Sequence, residues 1–170
     1  MKMKNEILIL LVIFFSCTHS TPSYQNKENV DTLNWIFGNT TRPIEKLVPL
    51  VLKGDTNAYY ELYIAYMDID RSSFLPYALL MANKYDYTIA YYDVYECLTL
   101  LFWGNCDNHV CYLDSLDIKT RKMALEYLIK GAEKGEYNCL RDLGWLYFEG
   151  KHVEKDTLLG KLLLEKSKAR

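Results

Sequence analysis

The feature that most constrains the fold is a helical pattern that occurs three times. Apolar, aromatic or small residues occupy positions i, i+3, i+4 and i+7, which form one face of a helix. The copies are 32 and 49 residues apart, and each carries an acidic residue at the same position, Glu61, Asp93 or Asp142. The pattern predicts three related helices, which we call the A helices. Their apolar stripes are Tyr59, Leu62, Tyr63 and Tyr66; Tyr91, Val94, Tyr95 and Leu98; and Leu140, Leu143, Gly144 and Tyr147.

A second kind of helix, which we call the B helices, is predicted after each A helix. The predicted B segments are Ser73–Lys84, with Ser at the cap and Pro76 in the first turn, then Thr120–Gly135 and Thr157–Lys168. Only four Pro and eight Gly interrupt the 170 residues, which favours long helices with short connections. A repeat near 32 residues built from helix pairs predicts an all-α fold, an alpha-alpha superhelix or solenoid.

The junctions before the A helices share a boundary signal. Each has a basic residue in the last turn and an acid that opens the next helix. The signals are Lys53-Gly54-Asp55, Lys84-Tyr85-Asp86 and Lys134-Gly135-Glu136. The longer spacing before the third copy places a polar insert loop at residues 104–117, and we expect this loop to leave the helix stack intact.

The last repeat is specific enough to suggest a family. The segment from Leu143 to Asp156 resembles the Sel-one-like repeat, a module related to the tetratricopeptide repeat, and the match is good over residues 119–156. The matching positions are Leu143, Gly144, Tyr147, Gly150, Val153 and Asp156, together with Ala124, Tyr127, Ala132 and Gly135. The resemblance implies a right-handed stack of helix pairs that holds other proteins.

Several positions depart from this family pattern. Gly131 and Cys139 each stand where the family has Ala, and His152 stands where it often has Gly. Over residues 54–103 only the periodicity is shared, because Tyr63 and Tyr95 occupy the family's Gly position. We expect these two tyrosines to hold the helices of the first repeats further apart.

The N-terminus has the order of an export signal. Lys2 and Lys4 precede the apolar run Ile7–Phe15, which ends in Ser16-Cys17. Nine apolar residues rise only about 14 Å as a helix, roughly half of a hydrocarbon core. A Cys after a small residue resembles the lipobox of bacterial lipoproteins, which would make Cys17 the acylated first residue. The alternative is an ordinary secreted protein cut after Ser20, with Cys17 discarded.

These features predict three parts: a lipoprotein signal peptide at residues 1–16, a flexible tether at 17–30 and a helical repeat domain at 31–170. Without residues 1–16 the chain has 18 basic and 21 acidic side chains and a net charge of −3, so attachment to the membrane would depend on the lipid and not on a basic patch. The same charge argues against nucleic acid as a partner. The predicted location is the cell envelope, as an outer-membrane or periplasm-facing lipoprotein.

No pattern for catalysis is visible. The three His are scattered, and the chain has no His-Glu-x-x-His, Gly-x-Ser-x-Gly or phosphate-binding loop, so we expect neither an enzyme nor a cofactor. Cysteines other than Cys17 number four, which allows three pairings. The favoured pair is a local disulfide between Cys106 and Cys111, and the alternative is a zinc site that includes His109. Cys97 and Cys139 lie on A helices and are either bridged or free, buried thiols.

The residues between the apolar stripes predict a binding surface. These positions alternate aromatic and charged groups along the inner wall of the predicted superhelix, where Tyr and Trp serve as anchors. An alternative is that they only pack against one another. The predicted partner-binding residues are Tyr60, Glu61, Tyr92, Asp93, Arg141, Asp142 and Trp145. Five leucines between Leu158 and Leu164 exceed one stripe and favour a homodimer through the last helix.

These observations predict an exported, lipid-anchored helical-repeat protein that binds another protein in the bacterial cell envelope. A narrower form of this hypothesis is an immunity or inhibitor protein that caps a toxin or enzyme. The alternative from a different class is an envelope hydrolase with an unrecognised active site.

Overall fold

The computed structural model describes residues 42–67, 70–99 and 113–169, and within these ranges every regular element is a helix, with no strand. This confirms the predicted all-α class. A short 3-10 turn, Arg71–Phe74, separates the second and third helices. The α-helices are α1 (Ile44–Val51), α2 (Thr56–Met67), α3 (Leu75–Lys84), α4 (Thr88–Thr99), α5 (Ile118–Glu133), α6 (Tyr137–Glu149) and α7 (Thr157–Lys168).

The A helices are α2, α4 and α6, and their predicted stripes lie in the core. Tyr59, Leu62, Val94 and Leu143 are buried. Helix α1 packs on α2, and from α3 to α7 each helix packs on the next one in the chain. Between these two groups, the 3-10 turn packs on both α2 and α3. Beyond direct neighbours, α4 contacts both the 3-10 turn and α6. The core therefore extends from one helix to the next in chain order.

The predicted B helices are α3, α5 and α7, and only α7 has the predicted bounds at both ends. Helix α5 begins at Ile118 because the Asp117 carboxylate accepts hydrogen bonds from the backbone N–H groups of Lys119 (2.9 Å) and Thr120 (3.2 Å). The prediction that Ser73 caps α3 is wrong. Asp70 instead caps the preceding 3-10 turn, accepting from Ser72 N at 3.0 Å, and α3 starts only at Leu75.

The junctions before the A helices repeat with the spacing of the sequence copies. Gly54, Asp86 and Gly135, which are 32 and 49 residues apart, have φ of +88°, +52° and +80°. The left-handed residue of the middle junction is thus Asp86, so the predicted alignment of Lys84-Tyr85-Asp86 with the other two signals was wrong by one residue. Asp is one of the few residues with a side chain that tolerate this conformation. Its carboxylate accepts from the Tyr91 hydroxyl at 2.7 Å.

Helices α6 and α7 approach closely at two glycines. A Cβ on Gly160 would lie 2.7 Å from the backbone nitrogen of Phe148, and one on Gly144 would lie 3.1 Å from the carbonyl oxygen of Gly160. At the position equivalent to Gly144, α2 carries Tyr63, whose ring packs edge-on against Phe74 at 5.5 Å. An aromatic contact in the first repeat thus occupies the position of a backbone contact in the last.

The predicted insert ends in a turn that packs on the core. Within the described part of the insert, Leu113 and Leu116 are buried. Their carbonyl oxygens accept hydrogen bonds from the Arg121 guanidinium at 2.8 and 2.9 Å. Nearby, His152 Nε2 lies 2.8 Å from Asp114 Oδ1, and His152 has a φ of +60°. This left-handed conformation is one that a glycine adopts without strain.

Candidate interaction face

The three repeat-equivalent acids join successive elements of the fold. The Tyr59 hydroxyl on α2 donates a 2.6 Å hydrogen bond to Asp93 on α4. The Tyr92 hydroxyl on α4 donates at 3.1 Å to Asp142 on α6. In the first repeat the acid is Glu61, which accepts from Arg42 Nη2 at 2.8 Å. Each acid therefore accepts from a donor that lies earlier in the chain.

The prediction that all three acids face outward is wrong for two of them. Asp93 is 5% exposed and Asp142 is 4% exposed. A buried carboxylate is costly unless it is hydrogen-bonded or paired with a base. Asp142 is satisfied by both means, because Arg141 Nε donates to it at 2.7 Å in addition to the bond from Tyr92. These acids link helices and are not displayed to solvent.

Aromatic side chains remain on the outer surface of the A helices. Tyr60 is 63% exposed and Trp145 is 39% exposed, with the Trp145 ring edge-on to Phe148 at 5.8 Å. Tyr92 on α4 and Arg141 on α6 are partly buried. Arg141 Nη2 donates to the Tyr92 hydroxyl at 3.3 Å, so these two side chains form a contact between α4 and α6. We call Tyr60, Tyr92, Arg141 and Trp145 the A-helix face.

A cavity of about 200 Å³ opens beside Tyr60. It lies between α2, α4 and the first turn of α6. Three of its lining residues, Tyr87, Ile89 and Asn138, were not predicted as site residues from the sequence. The repeat spacing could have singled out Tyr87. In the second copy it stands at the helix-opening position that Asp55 and Glu136 occupy in the other two. The lining residues are Tyr59, Tyr60, Tyr63, Tyr87, Ile89, Tyr92, Asp93 and Asn138.

The electrostatics of this cavity centre on Asp93. The pKa of its carboxyl is raised to about 7, chiefly by burial and in smaller part by the negative charges of Glu96 and Glu136. The hydrogen bond from Tyr59 and the charge of Arg71 act in the opposite direction. Arg71 itself is paired with Glu96 at 3.0 Å. The cavity is therefore lined mainly by tyrosines and contains one buried carboxyl, Asp93, whose pKa is raised.

The two cysteines of the A helices are free. Cys97 and Cys139 are both buried and unbridged, so of the two alternatives left open by the sequence the structure has the free thiols. Burial raises the pKa of the Cys97 thiol to about 12, and burial also raises that of Cys139. Thiols with raised pKa values in apolar surroundings are poor nucleophiles.

The last helix has two differently exposed sides. Leu159 and Leu163 line a second cavity, of about 370 Å³, together with residues of α5 and α6. Leu158, in contrast, is 79% exposed, and Leu162 is also exposed. The surplus of leucines noted in the sequence is thus divided between a groove and the outer surface. A homodimer through this helix stays a prediction.

Other predicted sites fall outside the described residues. These are the lipidation residue Cys17, the disulfide candidates Cys106 and Cys111, and His109 of the zinc alternative. Among residues 42–67, 70–99 and 113–169 no group of three His, Cys, Asp or Glu side chains is arranged to hold a metal ion. Over the same ranges, no helix combines the length and the apolar character needed to cross a bilayer.

Comparison with known proteins gives no family assignment: no family model matches the chain, and neither the curated proteins nor the solved structures contain a significant match.

Proposed function

We propose that this chain is an exported, lipid-anchored protein that binds another protein in the bacterial cell envelope through the A-helix face. The observation that carries the proposal is the exposure of large aromatic side chains on that face. Tyr60 and Trp145 both leave a large aromatic surface open to solvent, because more than a third of each residue is exposed. Trp, Tyr and Arg are the residues that most often dominate binding energy in protein interfaces.

The proposed architecture is a solenoid of Sel-one-like helix pairs. Three observations support it. From α3 to α7, each helix packs on the next one in the chain. The left-handed junction residues recur at the repeat spacing. The tyrosine-to-acid hydrogen bonds link each A helix to the next. Such folds present extended surfaces to other proteins, which agrees with the location of the exposed aromatic residues.

An affinity capture with matched variants tests the proposed function. The full-length chain is used to capture proteins from bacterial envelope extracts, beside a Tyr60→Ala, Trp145→Ala double variant and an Ile118→Ala control. Ile118 is 82% exposed but begins a B helix, so the control removes exposed apolar surface elsewhere. We expect one protein to be retained by the intact chain and the control and lost by the double variant. Equal capture by all three chains would refute the assignment of the binding face.

A further inference from the structure

The cavity beside Tyr60 has a chemistry that the general binding proposal does not use. Five tyrosines line it, together with one buried carboxyl, Asp93, and one amide, Asn138. Tyr60 and Ile89 are its most exposed members, so they mark the opening, while Tyr59 and Asp93 are buried and mark the floor. The cavity is therefore open to solvent at an aromatic rim and ends at an acid.

The charges around the floor are unbalanced. Three charged groups act on the Asp93 carboxyl: Glu96 on the same helix, Glu136 at the start of α6 and Arg71 in the 3-10 turn. Arg71 is already paired with Glu96 at 3.0 Å. Glu136 is buried and accepts the backbone N–H of Cys139 at 2.6 Å. The charged groups with the largest effect on Asp93 are thus two further acids and one base that is already paired, which favours a cation as the occupant.

The aromatic lining favours the same occupant. Phenol rings attract a cation through their negative faces, and a cation held by rings and a carboxylate in a partly dehydrated site is bound more strongly than at an exposed site. The volume of about 200 Å³ is small. Clefts that hold metabolites measure roughly 300–1,000 Å³, so this cavity suits one side chain better than a nucleotide or a sugar chain.

The hydrogen bonding at Asp93 favours a lysine side chain over an arginine side chain as the occupant. One carboxylate oxygen, Oδ2, already accepts the Tyr59 hydroxyl at 2.6 Å. A guanidinium binds best when both oxygens of a carboxylate are free for its planar fork. An ammonium is a compact charge with three rotatable donors, so it can use the remaining acceptor capacity of Asp93 and the carbonyl oxygen of the Asn138 amide.

We infer that the cavity formed by the five tyrosines, Asp93 and Asn138 is a subsite for an alkylammonium group, supplied by a lysine side chain of the bound protein. The identity of the source rests on the proposed function. The presence of the subsite does not, because a small ammonium can occupy it without a partner.

The test is a titration of the full-length chain with n-butylammonium, followed by NMR at the backbone amides of Tyr60 and Ile89 and the side-chain amide of Asn138. We expect saturable shifts at these groups. Neutral n-butanol, which has the same carbon chain, should bind at least about tenfold more weakly, because it lacks the charge-assisted hydrogen bond. Equal binding of both compounds, or no saturable binding of the ammonium at pH 8, would overturn the inference.

Asp93→Asn provides the matched variant. The amide oxygen can still accept from Tyr59, so the variant should keep the helical circular dichroism of the native chain. We expect its affinity for n-butylammonium to fall at least about tenfold. With a carboxyl pKa of about 7, the ionised fraction rises from about a tenth at pH 6 to about nine tenths at pH 8, and native affinity should rise about ninefold. Unchanged affinity in the folded variant would refute the role of Asp93.

The source of the ammonium is tested with N-acetyl-lysine methylamide, which carries the same side chain between two peptide groups. Binding at least as tight as that of n-butylammonium supports a protein lysine. Exclusion of this compound while the free amine binds would overturn the assignment to a protein. If the amines bind but no protein is captured, only the proposed function fails; if capture succeeds but no amine binds, only this inference fails.

Discussion

Gly131 and Cys139 make a pair whose sizes fit each other. A Cβ added at Gly131 would overlap the sulfur of Cys139 and would lie 3.0 Å from the Cβ of Tyr91. Both residues stand where the repeat that the sequence resembles has Ala. One is smaller and the other is larger, and they meet at the interface of α5 with α6. We therefore expect their effects on stability to be strongly coupled.

The magnitudes can be worked out from these contacts. In an ordinary helix interior, Gly→Ala stabilises by roughly 0.5–1 kcal/mol, because glycine loses more conformational freedom on folding. Gly131 is buried, so the added methyl group should also cost about 1–3 kcal/mol through overpacking, which outweighs that gain. Gly131→Ala should therefore destabilise the chain by about 1–2 kcal/mol. Cys139→Ala should cost about 1 kcal/mol, on the scale of one buried methylene.

The double variant Gly131→Ala, Cys139→Ala tests whether the two effects on stability are coupled. With Cys139→Ala in place, the new methyl group of Gly131→Ala occupies the volume of the missing sulfur, and the chain should be within about 1 kcal/mol of native stability. The coupling free energy is then about 2 kcal/mol, in the range measured for residues in direct contact. Urea unfolding followed by far-ultraviolet circular dichroism measures all four chains. Additive effects, or a Gly131→Ala variant more stable than native, would refute the packing argument.

Three further predictions concern other contacts. The pKa of Asp93 is raised to about 7 in the folded chain. Between about pH 4 and 7 the folded state therefore binds more protons than the unfolded state. The stability that this group contributes falls as pH rises through that window. Asp93→Asn should therefore be more stable than native by about 1–3 kcal/mol at pH 8 and show a smaller gain at pH 5 in thermal unfolding; a loss at pH 8 would contradict the burial argument. Gly160→Ala should lower the free energy of unfolding by about 1–3 kcal/mol in urea, because the clash is with the rigid backbone of Phe148, and a neutral effect would contradict the close approach of α6 and α7. Cys17→Ala should move the protein from the membrane fraction to the soluble fraction and abolish palmitate labelling; unchanged fractionation and labelling would contradict lipidation at Cys17.

Much of the helical framework could be predicted because it depends on local periodicity. The stripe that begins at Tyr59 is visible from spacing alone, and burial follows once the segment is a helix. Helix α7 has its predicted bounds because Asp156 accepts the backbone N–H of Leu159 at 2.9 Å, and an acid before an apolar run is a local start signal. Such features need no information from distant parts of the chain.

The candidate site could be predicted only in part, because its hydrogen bonds join distant residues. Asp93 looks like an exposed acid in its own helix, but in the fold it is buried and accepts a hydrogen bond from the Tyr59 hydroxyl, which lies 34 residues earlier. The same holds for Asp142 and Tyr92, which are 50 residues apart. The cavity needs three helices in register before Asn138 faces the tyrosines. Periodicity within one helix contains none of these relations.

The measurement that tests the central claim most directly is site-specific photocrosslinking in intact bacterial envelopes. A photoreactive phenylalanine analogue replaces Tyr60, Trp145 or Ile118 in three separate full-length chains. If the A-helix face binds one protein, irradiation should give the same discrete adduct from positions 60 and 145 and none from position 118. No adduct from positions 60 and 145, or equal adducts from all three positions, would contradict the account.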